Sequence, residues 1–291
     1  MSLIKKKDEL EFNKNLFLLI YSQPSAWKTS TALSASKPLL FDVERGCQRV
    51  NKEWQTDTVQ PTSYSEIIEV LEKEDLSGYD TLIFDTLLAL NDLCMEEVLK
   101  ENPTFTQKDG TPSLKAYGVA KNKFKSFMQL LEKQQKTVIF LAHSTEQKNQ
   151  DTVEIRIDGS SSAVKEITKK LDAMCYISVL GKKRYLNFEP NGIYYAKPIQ
   201  NVDTQIEIPY LEQGQANTFL QDKVITPALD YRKGDKTRKA EYDKVLEQAK
   251  AIIAKGVNEQ SLEQLRGLKK IGDSQEQIKA MLDKVKATNA K

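Results

Sequence analysis

The chain has 291 residues, 40% of them hydrophobic and 29% charged, enough to bury the core of one large α/β domain with a small appendage. Its net charge of +2 excludes a whole-molecule basic field of the kind that grips nucleic acid. Three scattered cysteines, Cys47, Cys94 and Cys175, exclude a disulfide framework and a CxxC metal pair, which points to a reducing, cytoplasmic setting. The start, MSLIKKKDELEF, lacks the apolar run of a signal peptide, and no stretch approaches the roughly 18 apolar residues of a membrane span.

Four short apolar runs come first in chain order: LFLLIYS from Leu16, PLLFDVE from Pro38, TLIFDTLLAL from Thr81 and KTVIFLAHS from Lys136. Continuous apolar runs of this length suit strands buried on both faces of a parallel sheet. Helical patterns lie between and after them, at Thr29 to Ala35, Tyr64 to Lys73, Leu87 to Lys100 and Tyr117 to Gln135. Alternating strand and helix predicts a doubly wound, mostly parallel α/β sheet.

Beyond His143 the pattern changes. Ser144 to Ser162 is polar, contains GSSS and reads as a mobile loop; Ala163 to Leu171 reads as a helix. AMCYISVL, KRYLNFEP and GIYYAKPI predict an antiparallel extension turning at Gly181–Lys182 and at Pro190–Asn191–Gly192. Pro209 to about Leu229 closes the core, which sets the first domain at residues 1–230. Residues 231–291 form a charged hinge, YRKGDKTRKAEYD, and a helical tail with helices at Tyr242 to Ala254, Ser261 to Leu268 and Ser274 to Val285. This segment holds 15 Lys/Arg against 9 Asp/Glu, a balance of +6 that suits phosphate backbone or an ordinary solvated surface equally well.

The segment carrying chemistry is SQPSAWKT, Ser22 to Thr29, directly after a buried strand and before a helix. That is the setting of the phosphate-binding pattern GxxxxGK[ST]. Ser22, Gln23, Pro24, Ser25, Ala26, Trp27, Lys28, Thr29 and Ser30 are therefore the expected nucleotide-contacting residues. Lys28 would reach the β- and γ-phosphates, the Thr29 hydroxyl would ligate Mg²⁺, and backbone N–H groups would cradle phosphate. Serine and tryptophan stand where glycines are usual, at Ser22, Ser25 and Trp27. Asp85 ends the TLIFD strand as a second metal ligand. Glu44, just past the PLLFD strand, is placed to activate water, and His143, the only histidine, to sense the γ-phosphate. Each has a plain structural alternative, a helix cap for a strand-end Asp or a core role for a lone His.

Taken together, LLIYSQPSAWKTSTA, KPLLFDVERG, YDTLIFDTLLAL, VIFLAHS, KKLDAMCYISVL and YYAKPI resemble the phage nucleotide-binding P-loop proteins. These are RecA-like AAA-type ATPases related to phage single-strand-annealing and recombination proteins. The resemblance covers roughly residues 14 to 230. Lys28, Thr29, Glu44, Asp85, Thr86, His143 and Asp172 match its motif positions, and the three missing glycines depart from it. It implies a RecA-like core, ATP with Mg²⁺, ring or filament homo-oligomers, and a role in DNA recombination, repair or replication with partner proteins of those processes. It also implies contact with single-stranded DNA through the polar segments Pro103 to Tyr117, bearing Lys108 and Lys115, and Thr145 to Lys165, bearing Lys148 and Lys165. Lys197 in YYAKPI, and less specifically the GKKR turn at Gly181 to Arg184, would reach a neighbouring subunit's γ-phosphate. Two other readings stay open: a binding or scaffold module whose phosphate loop has decayed, and, with less support because an arginine-rich lid is missing, a small-molecule kinase.

Overall fold

The computed structural model describes residues 13–149, 152–159, 161–212, 214–254, 256, 259–268 and 278–283. Residues Asn13–Leu229 form one compact unit, and residues from Asp230 onward belong to a second.

The first unit is built on a sheet of eight strands in the order β3-β2-β4-β5-β1-β7-β8-β9, with β6 paired to β5 off that path. The strands are β1 (Phe17–Ser22), β2 (Pro38–Asp42), β3 (Thr58–Val59), β4 (Thr81–Asp85), β5 (Thr137–Asn149), β6 (Thr152–Ile157), β7 (Ala173–Leu180), β8 (Lys183–Asn187) and β9 (Gln205–Ile208). The path from β3 to β7 is parallel throughout, and β8 and β9 add antiparallel strands beyond it. The expected α/β class, with its antiparallel extension, is the one observed. All six residues of β1 and all five of β4 are buried, which is why these strands read as unbroken apolar runs.

Alternate residues of the strands point into two cores. Phe41, Phe84 and Phe140 face one side, where Phe127 of a covering helix meets Phe84 edge-on at 5.3 Å between centroids. Leu40, Ile83 and Ile139 face the other. The helices of this unit are α1 (Lys28–Ala32), α2 (Tyr64–Lys73), α3 (Leu87–Glu101), α4 (Leu114–Gln134) and α5 (Ser161–Thr168). Starts are set by side-chain caps where the sequence provides them: the Ser63 hydroxyl accepts from Glu66 N at α2, and Ser113 accepts from Ala116 N at α4.

Several sequence expectations are corrected. Ser144 to Ser162 is not a mobile loop. β5 continues past the main sheet to Asn149 and pairs antiparallel with β6 from Ser144↔Ile157 to Asn149↔Thr152, and α5 begins at Ser161. β6 alternates Val153, Ile155 and Ile157 with polar residues, and the two isoleucines pack against the core. Pro103 to Tyr117 is likewise partly ordered, with a 3₁₀ turn at Pro103–Phe105, a Thr106↔Pro112 bridge and α4 already under way at Leu114. GIYYAKPI forms only the isolated bridges Ile155↔Tyr194 and Met174↔Lys197, and the third antiparallel strand is β9 instead. The charged hinge is overturned too: a π-turn at Gln221–Ile225 leads into one helix, α6 (Thr226–Ala254), that runs through residues 231–243.

In the second unit α7 spans Glu259–Arg266, and residues 278–283 are helical; the rest of the expected Ser274 to Val285 helix lies outside the described residues. Val245, Ala249, Leu265 and Ile278 share a small apolar core there.

Candidate functional site

β1, β2, β4 and β5 are parallel and in register, so their carboxyl ends share one edge: Ser22 lies beside His143, and Asp42 beside Asp85. Ligands of open α/β sheets bind at this edge. The Ser22 to Lys28 loop leaves β1 here and returns as α1.

The loop keeps a turn that glycine normally serves. Ser25 has φ 64° and Trp27 has φ 68° with ψ 27°, both in the left-handed region. An L residue there costs about 1–2 kcal/mol, so the fold holds the conformation without the residue that takes it freely. Ser22 is fully buried and its hydroxyl donates to Gln23 O at 2.8 Å. Gln23 Nε2 donates to Glu146 Oε1 on β5 at 3.1 Å.

Lys28 is 6% exposed. Its Nζ donates to Ser22 O at 3.4 Å and Gln23 O at 3.1 Å and stands 3.3 Å from His143 Nδ1. Burial lowers its affinity for the proton, against the opposing pull of Asp85 and Glu44. The Thr29 hydroxyl donates to Asp85 Oδ2 at 2.6 Å. Burial raises the Asp85 carboxyl above the usual range and outweighs the Thr29 bond and the Lys28 charge; Glu44 and Asp42 push the same way as burial. Asp85 does not cap α3: Thr86 holds the N-cap position before Leu87, and the Thr86 hydroxyl donates to Glu44 Oε1. His143 Nε2 lies 3.4 Å from Glu44 Oε2. These partners suit an imidazole carrying its proton on Nε2, with Lys28 donating to Nδ1.

Lys28, Glu44 and His143 thus form one hydrogen-bonded chain and Thr29 and Asp85 a second pair, and the two groups cluster at the same edge of the sheet. They line a cavity of about 330 Å³ together with Pro24, Ser25, Ala26, Trp27, Ser30, Gly46, Arg49 and Val50. Thr29 and Asp85 present two hard oxygens side by side, one on a buried carboxyl group. That donor pair fits Mg²⁺, which keeps most of its ligands as water and phosphate. Among the described residues no group of three or more His, Cys, Asp or Glu could hold a metal.

Asp42, which ends β2 beside Asp85, has another task. Although burial works the other way, hydrogen bonds from Cys47, Gln60 and Gly46 hold its carboxyl below the ordinary range; Gly46 N donates at 2.7 Å and Gln60 Nε2 at 3.1 Å. It ties down the turn that carries Glu44.

Lys197 and Asp172 do not join the cluster. Asp172 Oδ2 accepts from Phe17 N at 2.8 Å, and Lys197 Nζ donates to Leu171 O, both at the amino ends of β1 and β7. Residues that the sequence reading missed stand on the other side of Trp27. A second cavity, about 250 Å³, is walled by Trp27, Ser30, Thr31, Arg49, Trp54 and Tyr210 among others. The Arg184 guanidinium lies 3.6 Å from the Trp27 ring centroid, and Tyr210 flanks the indole at 5.8 Å. The Trp27 indole is thus a partition between the two cavities. Nothing in the local sequence around Arg49 or Tyr210 marks them, and the GKKR turn marks Arg184 only as a charge toward a neighbouring subunit; only the fold brings the three here.

A search of the curated proteins finds no match. Among solved structures, the crystal structure of the RadB recombinase is similar over 61% of this chain and 84% of that one, at 16% identity and a TM-score of 0.38. A family model described as an AAA domain matches residues 14–198, which includes every member of the cluster. The chain belongs to that AAA-domain family.

Proposed function

We propose that this protein binds ATP with Mg²⁺ at the Lys28 cluster and hydrolyses it, as a phage-type RecA-like ATPase of DNA recombination, repair or replication. The observation that carries the nucleotide reading is the convergence of two hydrogen-bonded groups, Lys28–His143–Glu44 and Thr29–Asp85, on one cavity at the sheet edge. Family membership supports it.

Each residue has a task in this reading. The buried Lys28 amine meets the β- and γ-phosphates, where low local dielectric strengthens the attraction. Thr29 and Asp85 hold the metal, which when bound neutralises phosphate charge. Glu44, oriented by Thr86, accepts the proton of the attacking water. His143 bridges Lys28 and Glu44 and is the group that feels the γ-phosphate. The second cavity, with Trp54, Tyr210 and Trp27 in its wall, takes the base.

The recombination role, contact with single-stranded DNA and assembly into rings or filaments rest on the motif resemblance to phage P-loop proteins. Single-stranded DNA would meet the β5–β6 ribbon, which carries Lys148 and is tied to the phosphate loop by Gln23–Glu146. Lys197 acts only toward a neighbouring subunit, since its amine lies away from its own chain's cluster.

Isothermal titration with Mg²⁺–ATP tests the core of the proposal: wild type binds, and Lys28→Ala loses binding with an unchanged circular dichroism spectrum. Equal affinities reject it. A scaffold without turnover is the second reading, motivated by Ser22, Ser25 and Trp27 standing where the phosphate-loop pattern has glycines. Phosphate release with and without single-stranded DNA separates the two, because sustained turnover excludes the scaffold.

A further inference from the structure

We infer that Arg184 is a positioning residue for nucleotide: its guanidinium holds the Trp27 indole in the wall between the two cavities and so keeps the phosphate cavity open. This rests on the nucleotide-binding reading of the same site.

Trp27 immediately precedes Lys28 at a left-handed backbone position. A ring of that size, one residue from the phosphate-contacting amine, has space either in the 330 Å³ cavity or beyond it. The structure holds it as the partition. Arg184 covers one ring face at 3.6 Å, and Tyr210 leans on it at an interplanar angle of 44°. Arg184 lines neither cavity, so it reaches ligand only through the indole.

The guanidinium is committed to this contact. A part-buried arginine ordinarily meets a carboxylate or a bidentate acceptor. Arg184 makes no ion pair among the described residues, its Nε is buried without a hydrogen-bond partner, and Nη1 donates weakly to Lys182 O at 3.4 Å. Its neighbour Lys183 behaves in the usual way and pairs with Glu207 at 2.9 Å. The π face of Trp27 is the partner that compensates Arg184, a contact that strengthens when desolvated. The support is rigid: Arg184 is in register with Val179 on one side and Ile208 on the other, and β7 pairs with the β1 strand that feeds the loop.

The experiment measures Mg²⁺–ATP affinity in two backgrounds and indole environment without nucleotide. Arg184→Ala weakens ATP binding about 3- to 30-fold, the range of a part-buried cation–π contact. Arg184→Lys, still cationic, restores most of it. In a Trp27→Gly background the same Arg184→Ala change alters affinity less than about twofold, because nothing remains to hold. The protein has two tryptophans, so Trp54→Phe leaves Trp27 as the sole fluorophore. In that protein, Arg184→Ala raises the acrylamide quenching constant about twofold or more. An equal loss of affinity in both backgrounds, or unchanged quenching, overturns the clamp. If wild type binds no ATP while quenching still responds, the nucleotide reading fails and the clamp stands.

Discussion

Replacing Asp85 with asparagine should move stability and function in opposite directions. The side chain is 7% exposed, and burial raises its carboxyl above the ordinary 3.8. The ionised form is therefore less comfortable in the folded protein than in the unfolded chain, even with Lys28 nearby. Asparagine keeps an oxygen that accepts the 2.6 Å bond from Thr29 and removes the charge. Relief of one strained functional group is worth about 0.5–2 kcal/mol, or roughly 1–8 °C in Tm for a domain of this size. The sign over pH follows from linkage. A carboxyl with a raised folded pKa helps the fold while both states are protonated, and that help is lost as pH rises through the folded value. The Tm advantage of Asp85→Asn should therefore be near zero below about pH 3.8 and grow toward pH 7. Mg²⁺-dependent ATP affinity should fall at least about tenfold, since one of two protein metal ligands loses its charge. Differential scanning fluorimetry from pH 4 to 8, with titration of Mg²⁺–ATP at pH 7.5, reads both. A variant that melts below wild type at neutral pH, or an advantage that ignores pH, refutes the reasoning.

Glu44→Gln should retain ATP binding within about threefold and slow phosphate release at least about 100-fold, as expected for a lost general base; equal turnover would remove Glu44 from the chemistry. Phe84→Ala should destabilise the fold by about 3–5 kcal/mol, because the ring is fully buried and stacks on Phe41 at 4.6 Å and Phe140 at 5.5 Å; a denaturant midpoint close to wild type would contradict that packing. Gln23→Ala should leave ATP affinity within about threefold but blunt any stimulation of turnover by single-stranded DNA, since it cuts the 3.1 Å link to Glu146; undiminished stimulation would show that the link carries no signal.

The parts of the fold that were legible in sequence are those where burial writes itself into composition. β1, β2, β4 and β5 are apolar because both faces are covered, and their order with the intervening helices predicts a parallel sheet with its ligands at one edge. The cluster members at that edge followed, because a polar residue ending an apolar strand is visible one strand at a time. The β5–β6 ribbon was missed because the polar residues of Ser144 to Ser162 far outnumber Val153, Ile155 and Ile157, whose alternation is the trace the strand leaves. Nor was α6 across residues 231–243, where lysine, arginine and aspartate read as a hinge but are also tolerable helix formers. Arg49, Trp54, Arg184 and Tyr210 meet Trp27 or its cavities from distant points in the chain, and no local window contains that information.

The absent glycines show what the motif's letters stand for. Glycine at these positions answers two separate demands: a left-handed backbone, and no side chain between backbone and phosphate. Ser25 and Trp27 meet the first demand at a strain of about 1–2 kcal/mol each, and both remain at positive φ. The second demand cannot be met by strain; the side chain has to be put somewhere. At Ser22 it is folded back onto Gln23 O, and at Trp27 it is turned into a wall and covered by Arg184. A loop that had merely decayed would have no reason to hold strained torsions or to leave a guanidinium nitrogen without an acceptor. Two such torsions, at Ser25 and Trp27, fall within three residues of Lys28, and the Arg184 and Tyr210 contacts brace the second. Function at this edge therefore depends less on the identity of the loop residues than on whether their side chains are kept out of the space between Lys28 and Asp85.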